Sequence, residues 1–217
     1  MKKHYPDSKV ELTPLIAKYY DIILDFMTFG IYDKFIYNVI KDCNFKPNEK
    51  ILDLGAGTGK NAFIMMKFIG KNADITAVDI SQEMQEQFEK RFAEYKNVKF
   101  MKTRIDKPLE FDEKFDDVFI SFVLHGFPHD VRETIIKNAY NSLKSGGRFL
   151  IVDFAEFSLE KMPIYYRIPF QTIECKFAFD FIKRDWKQIL SEFGFGKFSE
   201  KHYFKNYVRL LEAIKIG

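Results

Sequence analysis

The amino-acid sequence predicts an α/β fold: a doubly wound, mostly parallel sheet of seven strands, preceded by a helical N-terminal segment. Two observations lead to this prediction. Short apolar segments typical of buried strands alternate with longer segments of helical periodicity, and a glycine-rich turn follows the first strand. Strands that alternate with helices in this way form parallel sheets. Hydrophobic residues make up 47% and charged residues 30% of the chain, so we expect one globular domain over residues 1–217.

Residues 1–45 are predicted to form a helical lid ahead of the sheet, because apolar and aromatic residues recur there at mixed helical spacing. The polar first residues lack the apolar core of a signal peptide, and no apolar segment approaches the ~20 residues of a membrane span. We therefore expect a cytoplasmic protein without a transmembrane segment.

Three strands are predicted for the first half of the sheet, at 51–54, 75–78 and 98–101. The helix after the first strand is expected to extend to about residue 69. Ser81 is the expected N-cap of the next helix. The apolar residues of that helix stand at helical spacing, at Met84, Phe88, Phe92 and Tyr95.

The second half continues this alternation and then breaks it. Asp130 followed by Glu133 resembles a capping box and predicts the start of a helix, which Gly146 and Gly147 are expected to end. Residues 158–183 interrupt the alternation and are interpreted as an insertion. The other predicted elements are strands at 117–122 and 148–152, a helix at 185–193, and two last strands near 198–203 and 207–214.

The turn after the first strand carries the most informative motif, with glycines at Gly55, Gly57 and Gly59. Glycine is needed where the chain turns sharply and a ligand approaches the backbone. A dinucleotide-binding GxGxxG motif would require glycine where this chain has Lys60, and the P-loop pattern is absent. Asp53 would sit poorly beside a pyrophosphate, but it suits a cationic group such as the ammonium of a methionine moiety.

A second acidic residue, Asp79, ends the second predicted strand. A carboxylate at this position can accept hydrogen bonds from both hydroxyls of a ribose. Alone, either Asp53 or Asp79 is equally well explained as a cap of a turn or helix. Together with the glycines between them, they favour a site for an adenosyl ligand.

The segment from Ile51 to Phe154 resembles the class I S-adenosylmethionine-dependent methyltransferases. The glycine motif, Asp79, the segment 115–118 and the segment 143–148 follow one another in the order typical of that family. The resemblance implies a Rossmann-like fold, S-adenosylmethionine as cofactor, and methyl transfer. It also implies that Asp53 and the glycines hold the methionine end, and that Asp79 binds the ribose.

The adenine end departs from the family pattern. Family members usually place an acidic residue after strand three, where this chain has Arg104 followed by Ile105. Either backbone groups near Ile105 replace that contact, or Asp106 does. The cofactor contacts implied by the resemblance are Tyr20, Asp53, Gly55, Ala56, Gly57, Gly59, Asp79, Ile80, Arg104, Ile105 and Ser121.

A narrower resemblance concerns the N-terminal segment. Tyr20-Asp21 and Phe29-Gly30 stand in register with the start of the ubiquinone/menaquinone-biosynthesis C-methyltransferases, while Thr28 replaces a serine and Leu24 an asparagine of that pattern. This resemblance implies a quinone-like acceptor. Related branches of the same scaffold use phospholipids or small metabolites, so these acceptors stay open.

Methyl transfer asks little of the protein beyond in-line approach and desolvation, and it needs a general base only if the acceptor carries a proton. The candidates for such a base are His125, Tyr19, Tyr20 and Asp21, and of these His125 and Tyr20 are the candidate catalytic residues. His125 is alternatively a hydrogen-bonded loop histidine, and Tyr20 part of the packing of the lid. His129, beside a helix start, is expected on the surface.

The acceptor is expected to be a small apolar, aromatic or lipid-like molecule. The end of strand four offers Phe122, Leu124 and Phe127 rather than a polar pocket for a base, and the insertion adds an aromatic segment at 165–170. That segment either lines the acceptor pocket or covers the edge of the sheet. Peripheral membrane contact and a non-catalytic binding module stay open, whereas the oligomeric state is not predicted.

Other classes of site are disfavoured by composition. A net charge of +3, from 34 basic and 31 acidic residues, gives little electrostatic attraction for nucleic acid. Cys43 and Cys175 lack the spacing of a metal site or a disulfide framework, so no metal is expected.

Overall fold

The computed structural model describes residue 8, residues 31–70 and residues 74–217. These residues form one sheet of seven strands in the order β3-β2-β1-β4-β5-β7-β6. Strands β1 to β5 are parallel, whereas β7 runs antiparallel to β5 and to β6. In chain order the elements are α1 (Ile31–Asp42), β1 (Lys50–Leu54), α2 (Lys60–Ile69), β2 (Asp74–Asp79), α3 (Gln82–Arg91), β3 (Val98–Lys102), β4 (Phe115–Ser121), α4 (His129–Ser142), β5 (Leu143–Phe154), α5 (Ile164–Ile173), α6 (Lys176–Phe181), α7 (Trp186–Glu192), β6 (Phe195–Tyr203) and β7 (Val208–Lys215).

Both faces of the sheet are buried, which explains why its central strands are nearly continuous apolar segments. Ile51 and Phe119 belong to a core formed with α1, α2 and α3. Leu52 and Val118, one residue away in each strand, belong to a second core formed with α4, α6 and α7. This arrangement confirms the predicted doubly wound fold.

The carboxyl ends of β1, β2, β4 and β5 meet at one edge of the sheet, and this edge positions the candidate site. The predicted insertion 158–183 forms α5 and α6, which follow β5 at this edge. Helix α1 confirms the end of the predicted N-terminal helical segment. Residues 9–30, including Tyr19, Tyr20 and Asp21, lie outside the described residues. In the part of the chain that is described, no helix is long and apolar enough to cross a membrane.

Helix α4 corrects one prediction and α3 confirms another. The predicted capping box at Asp130 is wrong: the helix begins at His129 after Pro128, and Asp130 lies in its first turn. In that position the negative charge of Asp130 still interacts favourably with the positive end of the helix dipole and stabilises the helix. Ser81 caps α3 as predicted, because its hydroxyl accepts a hydrogen bond from the backbone N–H of Met84 at 3.2 Å.

Strand β5 begins earlier than predicted. The residues expected to end helix α4, Gly146 and Gly147, lie inside a strand that starts at Leu143, directly opposite Phe115 of β4. Gly146 has a φ of 75°, a conformation that glycine adopts without strain. The irregular pairing with β4 between Phe115 and Asp117 accommodates this turn of the chain within the sheet.

Candidate active site

The glycine turn folds back onto the neighbouring strand β2. The backbone N–H groups of Gly55 and Ala56 donate to the carbonyl oxygen of Val78 at 2.8 and 3.1 Å. The three glycines of the turn all have positive φ angles, which other residues adopt only at a cost. These angles are 72° at Gly55, 55° at Gly57 and 76° at Gly59.

The three glycines differ in their surroundings: Gly55 and Gly59 are closely packed, whereas Gly57 leaves room for a ligand. A Cβ on Gly55 would lie 2.7 Å from Val123, and one on Gly59 would lie 2.5 Å from Phe88. A Cβ on Gly57 would meet nothing nearer than Met84 Sδ at 3.9 Å. The space beside Gly57 is therefore where a ligand can approach the backbone.

Asp79 organises the turn from the end of β2. Its carboxylate accepts hydrogen bonds from the backbone N–H groups of Gly57, at 2.9 Å, and of Ser81, at 3.0 Å. Burial raises the pKa of Asp79, and backbone hydrogen bonds from Ser81, Gly57 and Ile80 oppose this shift. Each carboxylate oxygen has a second lone pair, so Asp79 can still accept hydrogen bonds from a ribose.

Two buried polar atoms at this edge of the sheet have no hydrogen-bond partner among the described residues. They are Oδ2 of Asp53 in β1 and Oγ of Ser121 at the end of β4. Leaving such atoms unpaired costs about 1–3 kcal/mol each, and an unpaired group in a folded protein calls for an explanation such as a ligand. Burial, and then the carboxylate of Asp79, raise the pKa of Asp53 to about 7.

These residues fit S-adenosylmethionine. A cationic ammonium group would supply a partner for the unpaired oxygen of Asp53 and would favour its ionised form. Asp79 lies where the ribose hydroxyls are expected. Ile80 follows Asp79 and is 37% exposed, which suits an apolar contact with adenine.

The predicted adenine side is more closed than the sequence indicates. Arg104 donates to both carboxylate oxygens of Asp106, at 2.9 and 2.6 Å, so Asp106 already binds a guanidinium group. The side-chain amide of Asn138 donates to the carbonyl oxygens of Ile105 and Lys107, at 2.8 and 2.7 Å. Asn138 thus fixes the loop after β3, and its place on the apolar face of α4 was a signal that the sequence analysis missed.

His125 lies in a single 3₁₀ turn, Leu124–Gly126, after β4. Its Nδ1 lies 2.7 Å from Oδ1 of Asp153, and its Nε2 lies 3.4 Å from Oε2 of Glu174. Burial disfavours the charged imidazolium, but Asp153 and Glu174 outweigh this effect and raise the pKa of His125. His125 is therefore a hydrogen-bonded histidine, while its role as a base remains a prediction.

His129 is only partly at the surface, because its side chain is 28% exposed. Its ring packs edge-on against Trp186, with 6.4 Å between ring centres. Its Nδ1 is buried and has no hydrogen-bond partner in the described part of the chain, and its Nε2 lies 3.5 Å from Glu133. The helix starts two residues earlier than the predicted cap at Asp130 implies, so His129 is its first residue.

Aromatic rings cluster beside His125 at the same edge of the sheet. Phe154, the last residue of β5, has its ring centre 4.9 Å from that of His125, 5.0 Å from Phe170 and 6.2 Å from Phe122. Phe122 has a φ of 52°, an unusual conformation for a bulky residue and one that often occurs at functional sites. In the predicted aromatic segment 165–170, Phe170 faces this wall whereas Tyr165 is 61% exposed.

The strand order and the glycine turn define the fold of a class I S-adenosylmethionine-dependent methyltransferase. Residues 5–188 match the model of the ubiE/COQ5 methyltransferase family, and the chain belongs to that family. This membership confirms the predicted family and its cofactor class, S-adenosylmethionine.

Individual relatives agree with this assignment. Ubiquinone/menaquinone biosynthesis C-methyltransferase UbiE of Wigglesworthia glossinidia brevipalpis is 29% identical over 174 residues, covering 77% of this chain and 68% of the relative. UbiE of Rhizobium rhizogenes is 31% identical over 157 residues, covering 70% and 60%. UbiE of Proteus mirabilis is 25% identical over 154 residues, so that this chain spans 61% of that relative's length.

Solved structures support the fold alone, because their sequences are distant. A SAM-dependent methyltransferase from Aquifex aeolicus has a TM-score of 0.67 at 18% identity, covering 95% of this chain and all (100%) of that one. Human N-acetylserotonin methyltransferase in complex with SAM has a TM-score of 0.70 at 18% identity, covering 94% of this chain and 57% of the human chain.

Proposed function

We propose that this chain transfers a methyl group from S-adenosylmethionine to a small, apolar, quinone-like acceptor. The observation that carries the proposal is a juxtaposition at one edge of the sheet. Unpaired, buried oxygens of Asp53 and Ser121 lie at the ends of β1 and β4, and the turn that follows β4 carries His125, which pairs with Asp153 of β5. A cofactor site and a site for proton transfer thus lie side by side.

S-adenosylmethionine, when bound, supplies an already activated methyl group. In this proposal Asp53 binds the ammonium group of the methionine moiety, and the glycine turn leaves room for it beside Gly57. Asp79 holds the ribose, while Ile80 and Ile105 contact the adenine. Further contacts from Ala56, Arg104, Ser121 and Tyr20 remain predictions.

His125 is the proposed general base. If Nδ1 carries its proton toward Asp153, the lone pair of Nε2 is free to accept a proton from the acceptor. Asp153 then stabilises the imidazolium that forms, and Glu174 can accept a hydrogen bond from Nε2. Tyr20, outside the described residues, is the second candidate for orienting the acceptor.

The N-terminal segment is proposed to close this site. Ser8, the one described residue before Ile31, is 3% exposed. Its hydroxyl donates to the carbonyl oxygen of Gly126 at 2.5 Å. Ser8 therefore lies against the turn that carries His125.

The acceptor class follows from the wall of the site. The ring of Phe154 packs against His125, and the rings of Phe122 and Phe170 pack against Phe154. Apolar walls with few polar groups are typical of sites for small organic molecules. The relatives are named for ubiquinone and menaquinone biosynthesis, which supports a quinone-like ring. A net charge of +3 gives no comparable support for nucleic acid.

A lipid-like acceptor at a membrane surface is the second candidate. Helix α5 has no buried residue, and its Ile164, Tyr165 and Ile168 are more than half exposed, at 59%, 61% and 56%. The ammonium group of Lys205 lies 5.3 Å from the ring of Tyr166 on the same surface. Apolar and basic groups together favour the surface of an anionic bilayer.

A label-transfer assay tests the proposal. The purified chain is incubated with methyl-labelled S-adenosylmethionine and, separately, with quinone precursors, phenols, phospholipid vesicles, tRNA and protein. We expect label in a quinone precursor or phenol, and none with Asp53→Asn. Labelling of tRNA or protein alone would contradict the proposed acceptor class, and labelling of phospholipid alone would favour the second candidate.

A vesicle-binding assay separates the two candidates further. Ile168→Glu is expected to weaken sedimentation with anionic vesicles if α5 docks on a membrane. Ile216→Glu is the matched control, because Ile216 is 48% exposed and follows β7 at the opposite edge of the sheet. Equal sedimentation of both variants and the parent chain would leave the quinone-like acceptor as the better candidate.

A further inference from the structure

Arg132, in helix α4, has a side chain with 0% exposure. Its guanidinium makes four hydrogen bonds. Nε donates to the carbonyl oxygen of Leu124 at 3.0 Å, and Nη2 donates to those of His125 at 3.2 Å and Phe177 at 2.6 Å. Nη1 donates to the carboxylate of Asp180 at 2.7 Å. One side chain therefore joins the turn that carries His125 to helix α6.

Two aromatic rings also contact the guanidinium. The central carbon of Arg132 lies 5.1 Å from the ring centre of Phe181 and 5.6 Å from that of Trp186, and these two rings stack on each other at 4.3 Å. Such planar stacking combined with several directed donors suits arginine but not lysine.

Burying a charge is costly, and well-packed apolar residues often serve stability equally well in its place. Stability alone is therefore a weak explanation of Arg132. What an apolar residue could not reproduce is the simultaneous binding of carbonyl oxygens from two separate segments, the turn Leu124–Gly126 and helix α6.

We infer that Arg132 is a positioning residue, which fixes His125 against Asp153 and ties the α5–α6 segment to the turn that carries it. The catalytic part of this inference rests on the proposed function. Asp153 belongs to the rigid strand β5, so the geometry of the pair depends on how firmly the turn of His125 is held. Glu174, which faces the other ring nitrogen, lies just before α6, whose Phe177 carbonyl Arg132 also binds.

Five charged groups surround the His125 imidazole or its anchor. Asp153 faces it from β5 and Glu174 from the segment between α5 and α6, while Arg132 acts from α4 and is itself paired with Asp180 of α6. Arg184 also donates to both oxygens of Asp180, at 2.7 and 2.9 Å. Arg132→Lys keeps the positive charge but cannot reproduce the four directed contacts. It therefore tests position separately from charge.

The experiment follows the Nδ1–H proton of His125 by NMR in the cofactor-bound chain, with the resonance assigned through His125→Gln. In the parent chain we expect a resonance protected from exchange with solvent, because Nδ1 is buried against Asp153. In Arg132→Lys we expect that protection to fall roughly tenfold or more, and kcat to fall roughly tenfold with cofactor affinity unchanged. An unchanged resonance and an unchanged kcat in folded Arg132→Lys would overturn the inference.

Arg148→Lys is the matched control. Arg148 is also largely buried and binds Asp117 through two hydrogen bonds, at 2.6 and 2.9 Å, but it lies at the start of the parallel part of β5, away from His125. It should lower thermal stability and leave the His125 resonance in place. If it alters the resonance as strongly as Arg132→Lys does, the effect is a general loss of stability and the inference fails.

If Arg132→Lys does not fold, Asp180→Asn tests whether Arg132 positions His125. The Asp180 side chain is 44% exposed, so this substitution leaves the core intact while removing the charged anchor of Nη1. We expect a weaker loss of Nδ1–H protection, roughly two- to threefold, and no loss would overturn the inference. Because the resonance is measured without any acceptor, its response tests the positioning of His125 even if no quinone or phenol is methylated.

Discussion

The proposed cofactor side and the proposed acceptor side of this molecule are built in different ways. On the cofactor side, a short stretch of chain supplies the turn Gly55–Gly59, and Asp79 fastens it through backbone hydrogen bonds. On the acceptor side, His125 is held by side chains from β5, from α4 and from the segment after α5. The first is a local device that depends on backbone conformation, whereas the second depends on tertiary packing.

This difference predicts different consequences of substitution. A side chain added in the glycine turn should impair folding where it meets packed side chains, and cofactor binding where it enters the space left for the ligand. Changes around His125 should affect turnover while cofactor binding persists. The predictions below test this separation, from the largest expected effect to the smallest.

Gly59→Ala is expected to destabilise the fold by roughly 3 kcal/mol or more, because a strained backbone and overpacking of the core add together. Its Cβ would lie 2.5 Å from Phe88 and 2.7 Å from Phe92, at a φ of 76°. Gly57→Ala is the matched variant, since its Cβ makes only an ordinary contact with Met84 Sδ at 3.9 Å, and it should cost about 1 kcal/mol of stability. Urea unfolding measures both.

Gly57→Ala should instead weaken binding of S-adenosylmethionine, which calorimetric titration of the folded variant measures. The comparison would fail if Gly57→Ala unfolded as readily as Gly59→Ala, or if it bound the cofactor like the parent chain. Either result would mean that the turn does not divide into a packing side and a ligand side.

Asp53→Asn is expected to weaken binding of S-adenosylmethionine by about 2–3 kcal/mol, the contribution of a charge-assisted hydrogen bond at a buried site. Asp53 is 1% exposed and one of its oxygens has no partner among the described residues. A hydrogen bond from the ligand to this oxygen should therefore contribute strongly to binding. Isothermal titration measures the affinity. An affinity close to that of the parent chain would show that Asp53 does not bind the cofactor.

The pH dependence of stability gives a separate test of Asp53. Burial and Asp79 raise its pKa to about 7 from 3.8, so the folded chain holds this proton over a range in which the unfolded chain has lost it. The stability of the protonated form of Asp53 contributes fully below pH 3.8, and this contribution to the unfolding free energy is lost as the pH rises from 3.8 to about 7. Between pH 5 and pH 7.5 the unfolding free energy of the cofactor-free chain should fall by roughly 2 kcal/mol relative to Asp53→Asn.

The cofactor should reverse this trend, because its ammonium group favours the ionised carboxylate. Thermal unfolding of both proteins at several pH values, with and without cofactor, measures the two effects. All other titrating groups are shared by the pair, so parallel curves for the parent chain and Asp53→Asn would contradict a raised pKa at this position.

The same contrast explains what the sequence could predict. The glycine spacing, Asp53 and Asp79 are close in the chain, and the strands that carry them are apolar on both faces. Asp153 follows an apolar strand and Arg132 stands among the apolar positions of α4, so both left a signal in the sequence. Nothing local indicated that these residues meet His125, or that Glu174 reaches it from beyond α5.

Local patterns also misled where tertiary contacts decided the outcome. Gly146 and Gly147 have the pattern of a helix end, but pairing of Leu143 with Phe115 extends the sheet through them. Asp130 and Glu133 have the pattern of a capping box, but Pro128 occupies the N-cap position and leaves Asp130 inside the first turn. In both places a residue outside the motif fixed the backbone.

The smallest expected effect is on the acceptor side. His125→Gln should lower kcat roughly tenfold or more, equivalent to about 1.4 kcal/mol, while the affinity for S-adenosylmethionine stays the same. His202→Gln is the matched control, because His202 lies exposed on β6 and its Nε2 is 3.4 Å from Glu200. Steady-state kinetics with the acceptor identified by label transfer measure the change.

The pH dependence of the methyl-transfer rate in the same variants shows whether His125 acts as a base. A base must be neutral to accept a proton, so the rate should rise with pH through the pKa of His125, which Asp153 and Glu174 raise against the effect of burial. His125→Gln should flatten this profile and His202→Gln should leave it unchanged. A loss below tenfold together with an unchanged profile would mean that the aromatic wall and the bound cofactor position the reactants without a base, and the acceptor side would then act by packing alone.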